Sequence, residues 1–428
     1  MQKTYDILIV GGGFVGASLA LGIQQLGLSC AIIDQKVPLG AVKTEQADNR
    51  GLALSATSKK ILHQLGVWEA LELAATTPIK TVHVSKQGCF GITKLQHDQL
   101  GLPALGYLMD ADKLAAQLHT QLNTITEDNT RTNVVNKFWP LQAMQFIFNP
   151  SQNLWEIMGT MVGTGDSKLP VAVSGKSQAV LSDESPVMLS GKLLVAADGA
   201  NSTLRALQGI NTDTHDYVET ALVSNIYINQ PHNNIAYERF TAQGTIALLP
   251  FGERRMKFVW TVANAQANEL LALTDAEFLA AVQQKFGYRL GKFMALDARV
   301  RFPLTKVQAS TVVGERLLVI GNAANTMHPV AAQGLNLGLR DVAVLIELLA
   351  VAQQQNLDIG SNDLLQQYAA ARQQDHATTQ RLTHRLHALF QGQNFGAKII
   401  QSVCLSACNL LPPLKQWVLR QGVGKLCR

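Results

Sequence analysis

Glycines at 11, 13 and 16, an acid at 34, an Asp-Gly pair at 198–199 and a Gly-Asn pair at 321–322 have the types and spacing to do chemistry. The run Gly11-Gly12-Gly13-Phe14-Val15-Gly16 has the spacing G-x-G-x-x-G. Its first glycine permits a tight turn, its second lets a pyrophosphate approach the backbone, and its third lets a helix pack closely on a strand. Asp34 follows 18 residues after Gly16, placed to accept hydrogen bonds from an adenosine ribose. An acid there suits a ribose with a free 2′-hydroxyl, hence FAD or NAD rather than NADP. Much later, Val319–Asp341 breaks at Gly321-Asn322, passes through His328-Pro329 and leads into a helix near Gly334. A helix N-terminus carries unpaired N–H groups and about half a positive charge, which suits a ligand carrying or developing negative charge. An ordinary strand-to-helix connection would also use Gly, Asn and Pro, so this stretch alone leaves both readings open.

The elements needed to hold these residues are legible around them. Tyr5–Val10 is an apolar strand before the glycines, Ala17–Leu26 a helix after them, and Cys30–Ile33 a second strand ending in Asp34. That context makes the glycine motif specific. A buried strand over Leu193–Ala197 ends in Asp198-Gly199, with Ser202 and Arg205 beyond, where ligands bind in an open α/β sheet. Arg50, shortly after the first βαβ unit, is either a solvated loop cation or a fork for a diphosphate. Residues 221–262 are strand-rich without intervening helices, which predicts an antiparallel layer over a substrate. On that layer Glu238 and Arg239 read equally as a solvated pair or as substrate contacts. Helices are expected over Ser58–Leu65, Ala111–Leu122, Asp275–Phe286, Asn362–Phe390 and Ala397–Leu411. The polar, Gly/Ser-rich piece 163–186 reads as an inserted loop or hairpin.

Composition narrows the function classes. With 428 residues, 47% hydrophobic and 16% charged, the chain is a globular protein of two or three packed units. Five scattered cysteines do not form a disulfide framework, and no ligand cluster points to a metal. The N-terminus enters a strand directly, and no apolar window reaches the ~18 residues of a membrane span, which predicts a cytoplasmic protein. The last acid is Asp375, and Arg381, Arg385, Lys398, Lys415, Arg420, Lys425 and Arg428 follow it unopposed. Without aromatic interleaving, this charge points to anionic lipid at the inner face of a membrane or to an acidic partner, not to nucleic acid.

With the three landmarks in this order, the chain resembles the class A flavoprotein aromatic hydroxylases. Gly11–Gly16 matches their dinucleotide motif, and Asp198-Gly199 with Ser202 and Arg205 their DG motif. Gly321-Asn322 followed by Pro329, Gly334 and Asn336 matches their GD motif, with Asn322 in place of the usual Asp. Among them it is most similar to the ubiquinone-biosynthesis hydroxylases, through Asn49–Leu54, Glu238-Arg239-Phe240 before Gly244, Leu248–Pro250 and His328-Pro329. Asn322 and Asn325, with the runs 81–91 and 286–292, are similar to the 2-polyprenyl-6-methoxyphenol hydroxylase branch.

The resemblance implies a mixed α/β fold of the para-hydroxybenzoate hydroxylase type, with a Rossmann-like FAD-binding domain, an antiparallel-sheet substrate domain and C-terminal helices. The FAD-binding domain would comprise residues 1–79, 107–205 (carrying the 163–186 insertion) and 301–350; the substrate domain 80–106 and 206–300; the helical region 351–428. It implies FAD contacts from Gly11, Gly13, Phe14, Val15, Gly16, Asp34, Arg50, Asp198, Gly199, Arg205, Gly321, Asn322, Gln333, Gly334, Leu335 and Asn336. NADPH or NADH would reduce the FAD, O2 would give a C4a-hydroperoxide, and that electrophile would hydroxylate a prenylated methoxyphenol. His328 and Pro329 are the catalytic candidates, His328 being open between a structural and a catalytic role. A multi-enzyme ubiquinone-biosynthesis complex and a membrane surface are the expected partners. The alternatives are a sister hydroxylase acting at another ring position, an FAD-dependent reductase or dehydrogenase of the same fold, and a non-catalytic flavin-binding subunit.

Overall fold

The computed structural model describes residues 3–40, 51–73, 76–124, 135–161, 186–326, 333–392 and 394–424. Arg50, His328, Pro329 and nearly all of the 163–186 insertion lie outside these residues.

Among the described residues the first sheet has eight strands. Its spine is parallel: Val135–Phe138, Cys30–Ile33, Lys3–Val10, Pro186–Ala196 and Leu317–Val319 lie side by side in that order. Their central stretches, ILIV at 7–10, CAII at 30–33, LLVA at 193–196 and LLV at 317–319, are continuously apolar because both faces are covered. Ile7, Ile9, Leu193, Val195 and Leu318 join one core, while Tyr5, Leu8, Leu194, Ala196 and Val319 join the other. The helices Phe14–Gln25 and Gln333–Gln354 cover the first of these faces. Phe14–Gln25 starts three residues earlier than the apolar pattern predicts, because Gly13 itself takes the extended N-cap conformation. The helix therefore begins inside the glycine motif.

The second sheet has nine strands among the described residues, centred on Thr212–Ile228, Arg255–Ala263, Gly244–Phe251 and Ile235–Thr241 in antiparallel succession. One pairing departs from that pattern: Ile235–Thr241 runs parallel to Thr81–Lys86. Thr81–Lys86 comes from an earlier passage of the chain, so no hairpin constrains its direction. The helix Asp275–Phe286 packs Phe278, Val282 and Phe286 onto one face with Leu222, Leu248, Phe258 and Trp260.

The opposite face of this sheet looks toward the first domain. A small sheet of Gly51–Ser55, Gly106–Asp110 and Thr77–Ile79 lies between them. Lys257 crosses the gap to Asp110 at 2.9 Å, and its stem lies so close to Gly51 that a Cβ there would stand 2.7 Å from it. The segment after Gly321 also bridges the layers, because Asn325–Thr326 pairs with Val300–Ala309 of the second sheet.

Three helices close the chain. Asn362–Gln391 and Phe395–Leu410 are anticipated by the apolar pattern, whereas Pro412–Val423 is not. Phe390 stacks on Phe240 of the second sheet at 3.9 Å between ring centroids. Lys86 donates to the carbonyls of Phe390 and Gly392 beside it.

Candidate functional site

The separate sequence landmarks meet at one edge. In the parallel register Val10 lies beside Ala196 and Ile33, and Ala196 beside Val319. The residues that follow, Gly11, Asp34, Asp198 and Gly321, therefore emerge together from the carboxyl ends of four adjacent strands. Ligands of open α/β sheets bind outside those ends.

Each glycine of the first motif has its own reason. Gly11 has φ +111°, and a Cβ there would lie 2.4 Å from the Ala197 carbonyl oxygen. A Cβ on Gly16 would lie 1.9 Å from the Gly11 carbonyl oxygen, so only glycine lets the helix seat. Gly13 is different: it is exposed, and a Cβ on it would meet no protein atom within 4 Å. Its smallness serves the space outside, where the N–H groups of the helix Phe14–Gln25 begin. Phe14 and Val15 are half-buried, and Val15 is the surface on which Gly321 and Gly338 close.

The loop is held from both sides. Gly12 donates its N–H to Asp34 Oδ2 at 2.8 Å, and the backbone N–H of Lys36 donates to Asp34 Oδ1 at 3.0 Å. Asp34 thus braces the loop and keeps lone pairs for a further donor. On the other side the Gly12 carbonyl oxygen lies 3.2 Å from His119 Nε2, a contact that requires an N–H on that nitrogen. Burial, aided by Lys137, pushes the His119 imidazole down to about 4 although its bond to Gly12 opposes the shift. His119 is therefore neutral at pH 7. Sequence reasoning missed it, because a histidine inside an amphipathic helix gives no signal of the loop it will meet.

The Asp-Gly landmark carries buried groups that have no partner among the described residues. Asp198 accepts the Leu204 N–H on Oδ2, while its buried Oδ1 has no partner among them. Arg205 donates to the carbonyls of Ala323 and Ala200, and its buried Nε likewise has none among the described residues. Buried polar atoms are normally paired, so orphans beside a ligand-binding edge point to a polar group bound there. Gly199, at φ +89°, again has open space where a Cβ would stand.

At the third landmark, Asn322 is exposed and its Oδ1 lies 3.8 Å from where a Cβ on Gly334 would be. Gly334 and Leu335 are half-buried at the start of the helix Gln333–Gln354. Gln333 donates to the Gly422 carbonyl oxygen. Asn336 is spent within the protein: it accepts from Ser55 N and Ser58 Oγ and donates to the Ala53 carbonyl oxygen. Its amide pins the helix to the Gly51–Ser55 strand. Asp341 accepts the Gly321 N–H at 3.1 Å and also binds Arg372 and His376, each at 2.7 Å. Arg372 and Arg340 share Asp375. This buried network fixes the Gly321 turn from behind.

The FAD binding domain family matches residues 4–135 and 173–383 of this chain. A ubiquinone hydroxylase (UbiL) of Rhodospirillum rubrum is 31% identical over 425 residues, 99% of this chain and 91% of that protein. The chain belongs to the ubiquinone-hydroxylase family of FAD-dependent monooxygenases. The 3-demethoxyubiquinol 3-hydroxylase of Escherichia coli is 28% identical over 421 residues, 98% of each chain. The fold is that of the p-nitrophenol 4-monooxygenase PnpA of Pseudomonas putida, with TM-score 0.73 at 14% identity over 99% of this chain. The hydroxylase thus uses FAD, with NAD(P)H as the co-substrate typical of the family. The strand-end cleft fits that cofactor on its own evidence, through the open space at Gly13 and Gly199 and the orphaned atoms of Asp198 and Arg205.

Proposed function

We propose that this enzyme hydroxylates the ring of a polyprenyl-methoxyphenol in ubiquinone biosynthesis. The observation that supports it is the facing pair: a dinucleotide-shaped edge at Gly11, Asp34, Asp198 and Gly321, and a sheet face turned toward the first domain whose accessible row, Val84, Ala247, Val259 and Val223, is aliphatic around Glu238. In this reading Gly11–Gly16 and Asp34 receive the adenosine diphosphate half of FAD, with Arg50 reaching the diphosphate. Asp198, Gly199 and Arg205 take polar groups of the cofactor and transient nicotinamide. Gly321, Asn322 and residues 333–336 form the flavin end, where the N–H groups of the helix Gln333–Gln354 stabilise negative charge on the reduced ring. Bound FAD, reduced by NAD(P)H, supplies an electrophilic oxygen atom from O2. The protein's share is to hold the phenol ring against it and keep water out.

A second ring position is favoured by one observation, the full-length similarity to the E. coli 3-demethoxyubiquinol 3-hydroxylase. Oxygen uptake by the FAD-loaded enzyme with NADPH and a short-chain 2-prenyl-6-methoxyphenol, followed by product mapping, tests both readings. We expect phenol-dependent uptake with one hydroxyl added. Uptake that phenol leaves unchanged, with no hydroxylated product, would overturn the reading in favour of a reductase or a non-catalytic subunit.

We also propose that the C-terminal helices rest on an anionic membrane surface, where such substrates reside. Phe395, Ile399 and Val403 fall at i, i+4 and i+8 on one helix and are exposed, Phe395 by 80%. Ile400, Leu410, Leu411 and Trp417 of the same C-terminal segment are also exposed, and Lys398, Lys415 and Arg420 belong to these helices. Among the described residues no helix is long and apolar enough to cross a membrane. A surface helix with an apolar face and cations fits an interface instead.

A further inference from the structure

A trough crosses the sheet face that looks toward the flavin edge. Val84, Glu238, Ala247, Val259 and Val223 are consecutive cross-strand neighbours on four pairings. Directly opposed residues share a face. All five are partly accessible, whereas the row on one side (Lys86, Phe240, Thr245, Thr261) is buried, as are Lys257 and Asn225 on the other. The trough is therefore a line of partly accessible positions between buried ones on the face that carries Lys257. Its floor is aliphatic with a single exception, the carboxyl of Glu238.

Nothing among the described residues pairs with that carboxyl. Arg239 points to the other face, donating to Ser85 and to the Lys285 carbonyl oxygen. The two cations nearest along the trough face are committed elsewhere, Lys86 to carbonyls and Lys257 to Asp110. Among the described residues no donor reaches Glu238. An acid in an apolar channel is costly unless it serves a ligand. The row of accessible positions continues through Val223 to exposed Val300, a path for a chain attached to a ring bound at Glu238.

We propose that Glu238 accepts the phenol proton during hydroxylation. Burial holds its carboxyl up to about 7, close to the working pH, where a general base is most effective. As the ring carbon takes one oxygen of the activated O2, the bond between the two oxygens breaks and its electron pair stays on the second oxygen, which is protonated and leaves as water; the phenol O–H bond breaks as well, and its electron pair moves into the ring. The proton passes to Glu238. When the hydroxylated dienone loses the hydrogen on its new C–OH carbon to water, Glu238 returns its proton to the ring oxygen and both groups are restored. This rests on the phenol reading above.

The test compares FAD-loaded wild type and Glu238→Gln on a short-chain 2-prenyl-6-methoxyphenol and on a polyfluorinated analogue already ionised at the assay pH. The amide keeps the size and an acceptor oxygen but cannot take a proton. We expect product formation with the ordinary phenol to fall by about 10²-fold or more, while NADPH oxidation continues uncoupled. FAD content and phenol affinity should stay within a few-fold, and the wild-type-to-variant ratio should shrink toward one on the ionised analogue. An unchanged ratio for the two phenols, or parallel loss of FAD or phenol binding, would overturn the assignment and leave Glu238 a structural residue. A wild type that hydroxylates neither phenol would overturn the substrate reading itself.

Discussion

Two glycines three residues apart make opposite predictions. Gly16 is required by the fold, since its Cβ would collide with the Gly11 carbonyl oxygen at 1.9 Å. Gly13 is required only by what binds outside, since its Cβ would meet nothing within 4 Å and its φ of −72° suits any residue. Gly13→Val should therefore purify folded, with an apoprotein Tm close to wild type, yet colourless. Gly16→Val should lose stability whether or not FAD is supplied. Visible absorbance and a melting curve on each variant decide it; a fully yellow Gly13→Val would contradict the cofactor site. His119 adds a pH dependence. Its folded pKa of about 4 lies below the ordinary value of 6.5, so its stabilising contribution is complete above 6.5 and is lost as pH falls toward 4. The difference corresponds to about 3 kcal/mol by linkage. His119→Gln should flatten stability across that window, read by denaturant midpoints at pH 7 and pH 4.5.

At the scale of elements, the strand, turn and acid of the first unit were plain in the sequence because one short stretch contains all of their partners. The flavin end was only half legible. Gly321 and Asn322 can be read as a turn, but the network that holds the turn joins residues far apart in the chain. Asp341 sits 20 positions after Gly321, and Arg372 and His376 lie on the next helix. Apolar periodicity locates those helices without revealing which buried charges face each other. Asn336 shows the same limit: its motif position suggests a ligand contact, yet its amide is used by Ser55, Ser58 and Ala53. Burial opposes ionisation of Asp341, but His376 and Arg372 outweigh it and hold its carboxyl below the ordinary carboxylate range. The stability it confers is thus present above the unfolded pKa and lost as pH falls through the lower folded value. Asp341→Asn would leave Arg372 short of a buried counter-charge, at a cost of about 3–5 kcal/mol. We expect a lower Tm together with weaker FAD retention, the second measured by fluorescence of released flavin. A variant that melts early but keeps its FAD would separate the network from the Gly321 turn.

At the scale of the whole molecule, the basic C-terminus acquires a definite face. Sequence alone shows cations without acids; the structure shows which apolar side chains accompany them and which are spent on the fold. Leu405 packs with Phe240 and Phe390, Gln401 donates to the carbonyls of Leu389 and Gly392, and Leu419 and Val423 are buried against Leu105. Removing residues 395–428 would therefore uncover the end of the second sheet, close to the trough, and confuse docking with folding. Point changes on the outer face avoid this. Ile399→Ser, Ile400→Ser and Trp417→Ser together remove exposed apolar area at positions 45%, 57% and 47% accessible. Even half of the ~1.5–3 kcal/mol per large side chain that burial contributes predicts a loss of lipid affinity of tenfold or more. Lys398→Gln with Lys415→Gln should weaken binding to anionic vesicles but not to zwitterionic ones, and more so at low salt. Turnover of a short-chain, water-soluble phenol should be unchanged in every variant, because no altered residue lines the trough or the strand-end cleft. Turnover of a long-chain phenol presented in vesicles should fall with lipid affinity. Unchanged vesicle flotation in the triple variant would reassign this face to a protein partner in a biosynthetic complex.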